Sequence, residues 1–262
     1  MRGSYTRIYL EGTGSKVNGV GQPRKGSKNL MGEPMKIKEL LRVVPLFSDL
    51  KDEELELLAQ ASYSAHFYKG QVILMEEEEE GNTLFVIERG KVKVSVQDRE
   101  GRELVLAVLG EGDFFGEMAI LDGKPRSANV VALEDTVALT LRRGDFLNMI
   151  HRNPWVAVRL LEEMAKRIRK ADVKMKSLAL LDVTGRIVYS LLQVAEDGVK
   201  VPEGVLLPLR VTRQLIADMS GTSRETVSRT LGRLRDDGYI RISGRRIILL
   251  KEDELWEDFI SL

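Results

Sequence analysis

Cysteine is absent from the 262-residue sequence. Its absence excludes disulfide bonds, thiolate-held zinc, iron–sulfur clusters and a cysteine nucleophile. No run of residues approaches the roughly 18 consecutive apolar residues that a membrane-spanning helix needs. The opening segment MRGSYTRIYLEGTG also lacks the apolar stretch of a signal peptide. We therefore expect a cytoplasmic protein without a membrane partner.

Net charge is absent and histidine is scarce. Forty Lys and Arg residues balance forty Asp and Glu residues, so a polyanionic partner has to be sought in a local surplus of positive charge. Haem binding would need one of the two histidines, His66 or His151, as an axial ligand. We interpret both as ordinary surface or sheet residues.

The first part of the chain divides into two segments. Residues 1–35 are rich in Gly, Ser, Lys and Arg, which predicts a disordered extension. Residues 36–154 begin with two short amphipathic helices broken at Pro45 and continue with short β-branched runs. The spacing of these runs predicts a small antiparallel barrel or roll, so that the whole chain is α+β. The acidic run Glu76–Glu80 is read as a solvated turn between strands.

Residues 155–181 predict one long helix. Its apolar residues recur at alternating steps of three and four, as in a coiled-coil seam: Leu161, Met164, Ile168, Ala171, Met175 and Leu178. A helix lying on its own domain would need a broader apolar stripe. Charged residues occupy the other faces, so we expect two chains to pair through this helix as a homodimer.

Residues 182–262 predict a winged helix-turn-helix. Asp182 is a plausible N-cap, and two helices, Thr212–Met219 and Ser223–Asp236, are joined by a short turn that contains Gly221. A strand, a Gly turn and a second strand follow as the wing. From Arg210 to Lys251 there are ten Lys or Arg and four Asp or Glu residues, a local surplus of six positive charges. This surplus is typical of a surface that binds double-stranded DNA.

The second of these helices opens with SRETVSR, which we expect to face the major groove. Arginine can bond guanine and glutamate can accept from cytosine, whereas hydroxyls suit phosphate contacts. The candidate DNA-binding residues are Arg213, Ser223, Arg224, Glu225, Thr226, Ser228 and Arg229. Alternatively, Thr222 and Glu225 form a capping box that only fixes the helix start.

Residues 114–130, FFGEMAILDGKPRSANV, carry the groups for binding an anion that also offers a hydroxyl. Arg126 is suited to phosphate, and we expect it on a surface turn next to Ser127. Gly116 allows close approach of the backbone. Glu117 would accept from a sugar hydroxyl. The alternative is an ordinary Glu117–Arg126 salt bridge.

From about Lys36 to Leu250 the chain resembles the CRP/FNR family of bacterial transcription regulators. FGEMAILDGKPRSANVV is similar to the family's phosphate-binding cassette, LALLDVTGRIVYSLL to its hinge, and VTRQLIADMSGTSRETVSRTL to its helix-turn-helix. The resemblance implies that Glu117 takes the ribose 2′-hydroxyl and that Arg126 and Ser127 hold a cyclic phosphate. It also implies an antiparallel β-roll of the cupin-like jelly-roll type, followed by a long dimerisation helix and a winged helix-turn-helix. It further implies a half-site like TGTGA, read by Arg224, Glu225 and Arg229, and RNA polymerase as a partner.

The sequence departs from the cAMP-responding members at Ala171-Asp172, where they carry a Thr-Ser pair that contacts adenine. Asp172 can only accept hydrogen bonds when it is ionised, so adenine and guanine both stay open. The candidate effector-binding residues are Gly116, Glu117, Met118, Arg126, Ser127 and Asp172. cAMP, cGMP or a cyclic dinucleotide could occupy them. The cassette also persists in relatives that need no nucleotide, so a regulator without an effector is the alternative.

Two other classes of protein are weighed against a DNA-binding regulator. A regulatory subunit that binds a cyclic nucleotide and controls an enzyme would not need the basic SRETVSR helix. A hydrolase that uses Glu117 and Asp113 would need a nucleophile, a metal cluster or a positioned histidine, none of which the sequence indicates. We therefore expect no enzymatic activity and no metal.

Overall fold

The computed structural model describes residues 34–79, 81–208 and 211–260. The extension predicted to be disordered therefore lies outside the described residues, apart from its last two positions, which begin the first helix. That helix is α1 (Pro34–Val43), followed by a 3₁₀ turn (Pro45–Phe47) and α2 (Asp52–Ala61). Their apolar faces join one core with the β-roll.

The β-roll has eight antiparallel strands in two sheets. They are β1 (Tyr63–Phe67), β2 (Val72–Leu74), β3 (Thr83–Arg89), β4 (Val92–Gln97), β5 (Glu103–Leu109), β6 (Phe114–Phe115), β7 (Asn129–Ala132) and β8 (Thr136–Arg142). One sheet has the order β1-β8-β3-β6 and the other β2-β7-β4-β5. The rings of Phe85 and Phe115 stack with centroids 5.0 Å apart. The predicted antiparallel roll is confirmed, and residues 76–79 of the acidic run lie in the turn between β2 and β3.

Three helices follow the strands or interrupt them. A short helix, α3 (Glu117–Asp122), lies between β6 and β7, and α4 (Arg143–Arg152) follows β8. After Pro154 the chain forms α5 (Trp155–Leu180), the long helix that the sequence predicts. The part of the chain that is described contains no helix long and apolar enough to cross a membrane.

The first turns of α5 pack on the chain's own core, whereas its predicted seam is largely open. Val156 and Leu160 are buried beside α1 and α2. Leu161, Ile168 and Met175, spaced one heptad apart, are 67%, 62% and 59% exposed. Such a row of exposed apolar side chains is costly in water, and it leaves the pairing of two chains as a prediction.

The last part of the chain forms the winged helix-turn-helix. It contains α6 (Val183–Ala195), β9 (Val199–Val201), β10 (Gly204–Leu206), α7 (Arg213–Ser220), α8 (Arg224–Asp236), β11 (Ile240–Ser243), β12 (Arg246–Leu249) and α9 (Glu252–Phe259). The predicted N-cap of α6 is present, since Asp182 Oδ1 accepts from Gly185 N at 2.7 Å. The wing hairpin is confirmed.

Three elements of this part were not predicted. β9 and β10 extend the wing to a four-stranded sheet of order β11-β12-β10-β9. Each has only three residues, too few to show a periodic pattern. In α9 the single fully buried side chain is Leu255, which packs in the core of this region.

Candidate effector site and nucleic-acid interface

Gly116 sets the start of the candidate effector site. It is the N-cap of α3 and has a φ of 86°, in the left-handed region that favours glycine. A Cβ at this position would lie 2.8 Å from Thr83 O and 2.8 Å from Arg126 Nη1. Any larger residue would therefore displace either the backbone of β3 or the arginine, so the packing of the chain itself requires glycine here.

The Glu117 side chain is buried, with 4% of its surface exposed. Its Oε1 accepts a hydrogen bond of 2.9 Å from Arg167 Nη1 on α5. The same guanidinium donates to Phe114 O and lies 4.5 Å from the centroid of the Phe114 ring. The alternative of a Glu117–Arg126 salt bridge is therefore wrong, because the carboxylate is paired with an arginine from the long helix.

Arg126 is also buried, with 5% of its surface exposed, so the expectation of a surface turn is wrong. Its guanidinium donates to Gly116 O at 2.8 Å and to Thr83 O at 3.0 Å. The backbone explains the difference, because Arg126 N donates to Glu78 O and Arg126 O accepts from Glu77 N, which fastens the loop to the acidic turn. The side chain is thereby directed into the roll.

The guanidinium of Arg126 carries an unsatisfied group. Its Nε is buried without a hydrogen-bond partner in the described part of the chain. Burial lowers the pKa of Arg126, and the nearby carboxylates of Glu78 and Glu117 oppose that shift. A buried donor without an acceptor costs about 1–3 kcal/mol. The Nε of Arg126 is therefore a buried donor that its own chain leaves without an acceptor.

The remaining effector candidates are exposed. Ser127 Oγ and Met118 Sδ lie 3.4 Å apart at the surface of the cassette. Asp172 lies on α5, five residues beyond Arg167, which is about 7.5 Å along the helix and about 140° around its axis. The structure brings Gly116, Glu117 and Arg126 together but does not bring Asp172 into contact with them within one chain.

Arg167 is the residue of the candidate site that sequence reasoning missed. It stands among six other basic residues on α5, and its spacing alone does not distinguish it from them. The hydrolase alternative finds no support in the geometry, since the Glu117 carboxylate faces Arg167 while Asp113 Oδ2 accepts from Gly110 N at 2.8 Å. The two histidines are exposed, one on β1 and one near the end of α4.

The helix-turn-helix begins each of its helices with a side-chain cap. Thr212 Oγ1 accepts from Leu215 N at 3.0 Å, and Ser223 Oγ accepts from Thr226 N at 3.2 Å. The proposed capping box is wrong, because the N-cap of α8 is Ser223 rather than Thr222. Glu225 is therefore free of that capping role and is exposed.

The first two turns of α8 present an exposed polar face. Its members are Ser223, Arg224, Glu225, Ser228 and Arg229, with Thr226 half-buried between them. Arg229 Nη2 donates to Thr226 Oγ1 at 3.3 Å, and Ser228 Oγ donates to Arg224 O at 2.9 Å. Arg213 is exposed in the first turn of α7. These side chains are placed as a groove-reading helix requires. Arg210, counted in the basic surplus, lies outside the described residues.

Comparison with known proteins identifies both regions. Residues 64–153 match the model of the cyclic nucleotide-binding domain, and residues 185–257 match the Crp-like helix-turn-helix domain. The chain is 36% identical over 214 residues to the cyclic AMP receptor protein of Thermus thermophilus, covering 82% of this chain and 95% of that protein. The chain belongs to the CRP/FNR family.

Two further relatives of this CRP/FNR protein are informative. The cAMP-activated global transcriptional regulator CRP of Salmonella typhimurium is 37% identical over 187 residues, which covers 70% of this chain and 88% of that protein. A solved structure of the c-di-GMP responsive global regulator CLP of Xanthomonas campestris aligns with a TM-score of 0.68 at 25% identity, over 76% of this chain and 99% of that chain. As a family member the chain is a transcription regulator with a helix-turn-helix DNA-binding domain, and it is not an enzyme.

Proposed function

We propose that this CRP/FNR regulator binds a palindromic TGTGA-like DNA site as a homodimer, under the control of a cyclic nucleotide or a similar anion. Its DNA target would place it in the bacterial cytoplasm, with RNA polymerase as a further partner. The observation that carries the DNA part is the exposed polar face at the capped start of α8, in the region that matches the Crp-like helix-turn-helix.

The candidate effector site supports an anion that also carries a hydroxyl. Glu117 Oε1 is bonded to Arg167, while its other carboxylate oxygen accepts no hydrogen bond within the described residues. A ribose hydroxyl can therefore donate to that oxygen without breaking the ion pair. The exposed Ser127 hydroxyl supplies a donor for the phosphate, and Arg126, whose buried Nε has no acceptor among the described residues, would supply a second donor if a ligand reached it. The two relatives named for cAMP, and the one named for c-di-GMP, use ligands of this class.

The homodimer is supported by the exposed seam on α5. Pairing two chains through Leu161, Ile168 and Met175 would bury apolar surface that water otherwise contacts. A dimer presents two recognition helices, which matches a palindrome whose half-sites are about one DNA turn apart. A ligand that contacts both the roll and α5 would shift the population toward one placement of these helices.

Asp172 is proposed to face the base of the nucleotide. Asp172 lies about 140° around the α5 axis from Arg167, and Arg167 is the residue that faces the cassette of the same chain. Asp172 is therefore better placed to contact a ligand held near the α5 seam than a ligand held only by that cassette. A carboxylate can pair with two donors of guanine but with only one amino group of adenine. We therefore expect no strong preference for adenine, and we expect replacing Ala171-Asp172 by Thr-Ser to raise cAMP affinity in calorimetry.

A second candidate function has a specific observation in its favour. Arg126 already donates to Gly116 O and Thr83 O, and Glu117 is already paired with Arg167, so the cassette is held together by its own residues. A regulator that binds DNA without any effector would have such a cassette. The effector-controlled function and this alternative differ only in whether a ligand changes DNA affinity.

A gel shift separates these functions. The protein is mixed with a TGTGA-like palindrome or with a scrambled duplex of the same composition, each with and without cAMP, cGMP and c-di-GMP. We expect the palindrome to be retained at lower protein concentration than the scramble, and one nucleotide to strengthen that difference. Equal retention of both duplexes under every condition would contradict the DNA-binding assignment.

A further inference from the structure

The helix-turn-helix lies against the β-roll of its own chain. Val105 of β5 is 1% exposed and belongs to the apolar cluster of the DNA-binding region, together with Ile216 and Met219 of α7. Lys91, just before β4, pairs with Asp197, just after α6. The DNA-binding region is therefore docked on the hairpin of β4 and β5 rather than held only by the chain connection.

The turn between α7 and α8 lies close to two other elements of the chain. Gly221, the C-cap of α7, has a φ of 60°. A Cβ at Gly221 would lie 3.7 Å from Leu178 Cδ2 on α5 and 3.9 Å from Leu104 Cδ1 on β5. Leu178, the last residue of the predicted seam, and Leu104 of β5 thus lie on either side of the turn. The turn lies close to both the long helix and the roll.

Two cations hold the carboxyl end of α7 from outside the helix-turn-helix. The Lys174 ammonium on α5 donates to Met219 O, and Arg186 Nε on α6 donates to Ser220 O at 3.0 Å. Arg186 also donates to Leu181 O at 3.1 Å, at the joint between α5 and α6. The last carbonyls of a helix lack partners within it and carry partial negative charge, so both contacts are favourable.

Lys174 is unusual because its ammonium is buried and contacts a backbone carbonyl rather than a carboxylate. Its side chain is largely enclosed, at 8% exposure, and no carboxylate forms an ion pair with it anywhere in the described ranges. Burial lowers the pKa of Lys174 to about 8. An apolar residue of similar length would avoid the desolvation of a buried charge. Stability alone therefore does not explain a lysine here, whereas a directed contact to Met219 O does.

We propose that Lys174 is a positioning residue that fixes the angle between α5 and the helix-turn-helix, and thereby the half-site spacing that the dimer reads. The inference rests on the proposed function, because spacing has meaning only for a dimer on a palindrome. Lys174 lies two residues after Asp172 and one before Met175 of the seam. The Lys174 side chain therefore links α5, at a point next to both residues, directly to the end of α7.

The first test measures spacing preference with Lys174→Met and, as a matched control, Lys176→Met, which alters an exposed lysine of the same helix. Affinity is measured for the best palindrome, for versions with two base pairs added or removed at the centre, and for a single half-site. We expect Lys174→Met to reduce the preference for the native spacing by about tenfold, as for one lost hydrogen bond to a charged group. Half-site affinity and the control should stay within about twofold of wild type.

The second test needs no DNA. Hydrogen exchange of the full chain is compared at residues 219–222 and at residues 104–108, which form the two sides of the docked turn. We expect Lys174→Met to speed exchange in both segments and to leave α8 unchanged, while Lys176→Met changes neither.

Two results would overturn the proposal. One is an unchanged spacing preference in Lys174→Met, whatever the exchange result. The other is a parallel loss of half-site binding, since that would mean that Lys174 supports the helix-turn-helix itself. If wild type shows no spacing preference at all, the proposed binding of a palindrome by a homodimer is contradicted instead. The hydrogen-exchange comparison then still shows whether Lys174 holds the end of α7 against α5 and the roll.

Discussion

Glu117 Oε1 and Arg167 Nη1 lie 2.9 Å apart, and this ion pair joins the cassette helix α3 to the long helix α5. The carboxylate is almost fully buried, and the guanidinium also contacts Phe114 from above its ring. A ligand that bonds Glu117 therefore acts on α5 through one ion pair. This gives the proposed population shift a physical route from the cassette to the proposed dimer seam.

Removing Arg167 should destabilise the protein through the carboxylate that it leaves behind. We expect Arg167→Met to lower the free energy of unfolding by about 1–3 kcal/mol, because a buried acceptor loses its charged donor. Adding Glu117→Gln should recover much of that loss. Urea unfolding measures both, with Arg169→Met, an exposed neighbour, as the control. An Arg167→Met protein as stable as the control would show that the Glu117–Arg167 pair contributes nothing to the free energy of unfolding.

Replacing Arg126 should affect stability as well as ligand binding. Arg126→Leu removes the donors of two backbone oxygens, Gly116 O and Thr83 O, and we expect a loss of about 1–3 kcal/mol. Thermal unfolding measures this loss, and Lys124→Leu on the exposed part of the same loop is the control. Unchanged stability in Arg126→Leu would mean that the guanidinium is not held inside the roll.

Arg229 and Arg213 are expected to contribute differently to DNA binding. Arg229→Ala should cost about 1–3 kcal/mol on the specific site and relax the base preference at one position. Arg213→Ala should weaken binding to all sequences alike and lower the salt slope by about one unit. Anisotropy titrations on specific and random duplexes at several salt concentrations measure both effects. The same pattern for both variants would contradict this division.

Ile168 tests the dimer. Ile168→Lys places a charge in the exposed seam and should produce monomers, with weaker binding to the palindrome because only one half-site is then held. Val173→Lys on another face of α5 is the control, since Val173 is 43% exposed but lies outside the seam. Sedimentation gives the result. A dimer that survives Ile168→Lys would disprove pairing through α5.

The sequence predicted those elements whose periodicity is long or whose caps are distinct. The long helix carries nearly three heptads, and α7 and α8 begin after Thr212 and Ser223, whose hydroxyls cap them. The single-residue shift in the cap of α8 was not predictable, because Thr222 and Ser223 are both good N-cap residues.

The candidate site was predicted only in part, because its contacts are made across distant parts of the chain. Gly116 and Arg126 were found from local spacing, yet the inward direction of Arg126 depends on bonds to Glu77 and Glu78 in another loop. Arg167 meets Glu117 across 50 positions. In the sequence Lys174 does not differ from the other lysines of α5, because its contact with Met219 O at the end of α7 forms only in the folded chain. No local sequence pattern predicts such contacts.

The most direct test of nucleotide control compares the operator affinity of wild type with and without nucleotide. Anisotropy titrations of the palindrome are run with no ligand and with saturating cAMP, cGMP or c-di-GMP, in wild type and in Arg126→Leu. We predict that at least one nucleotide changes the wild-type Kd by about fivefold or more, within the usual range of coupling between two sites, and that Arg126→Leu loses this response. An operator Kd that is the same with every nucleotide as with none, together with no heat of nucleotide binding in calorimetry, would contradict the account.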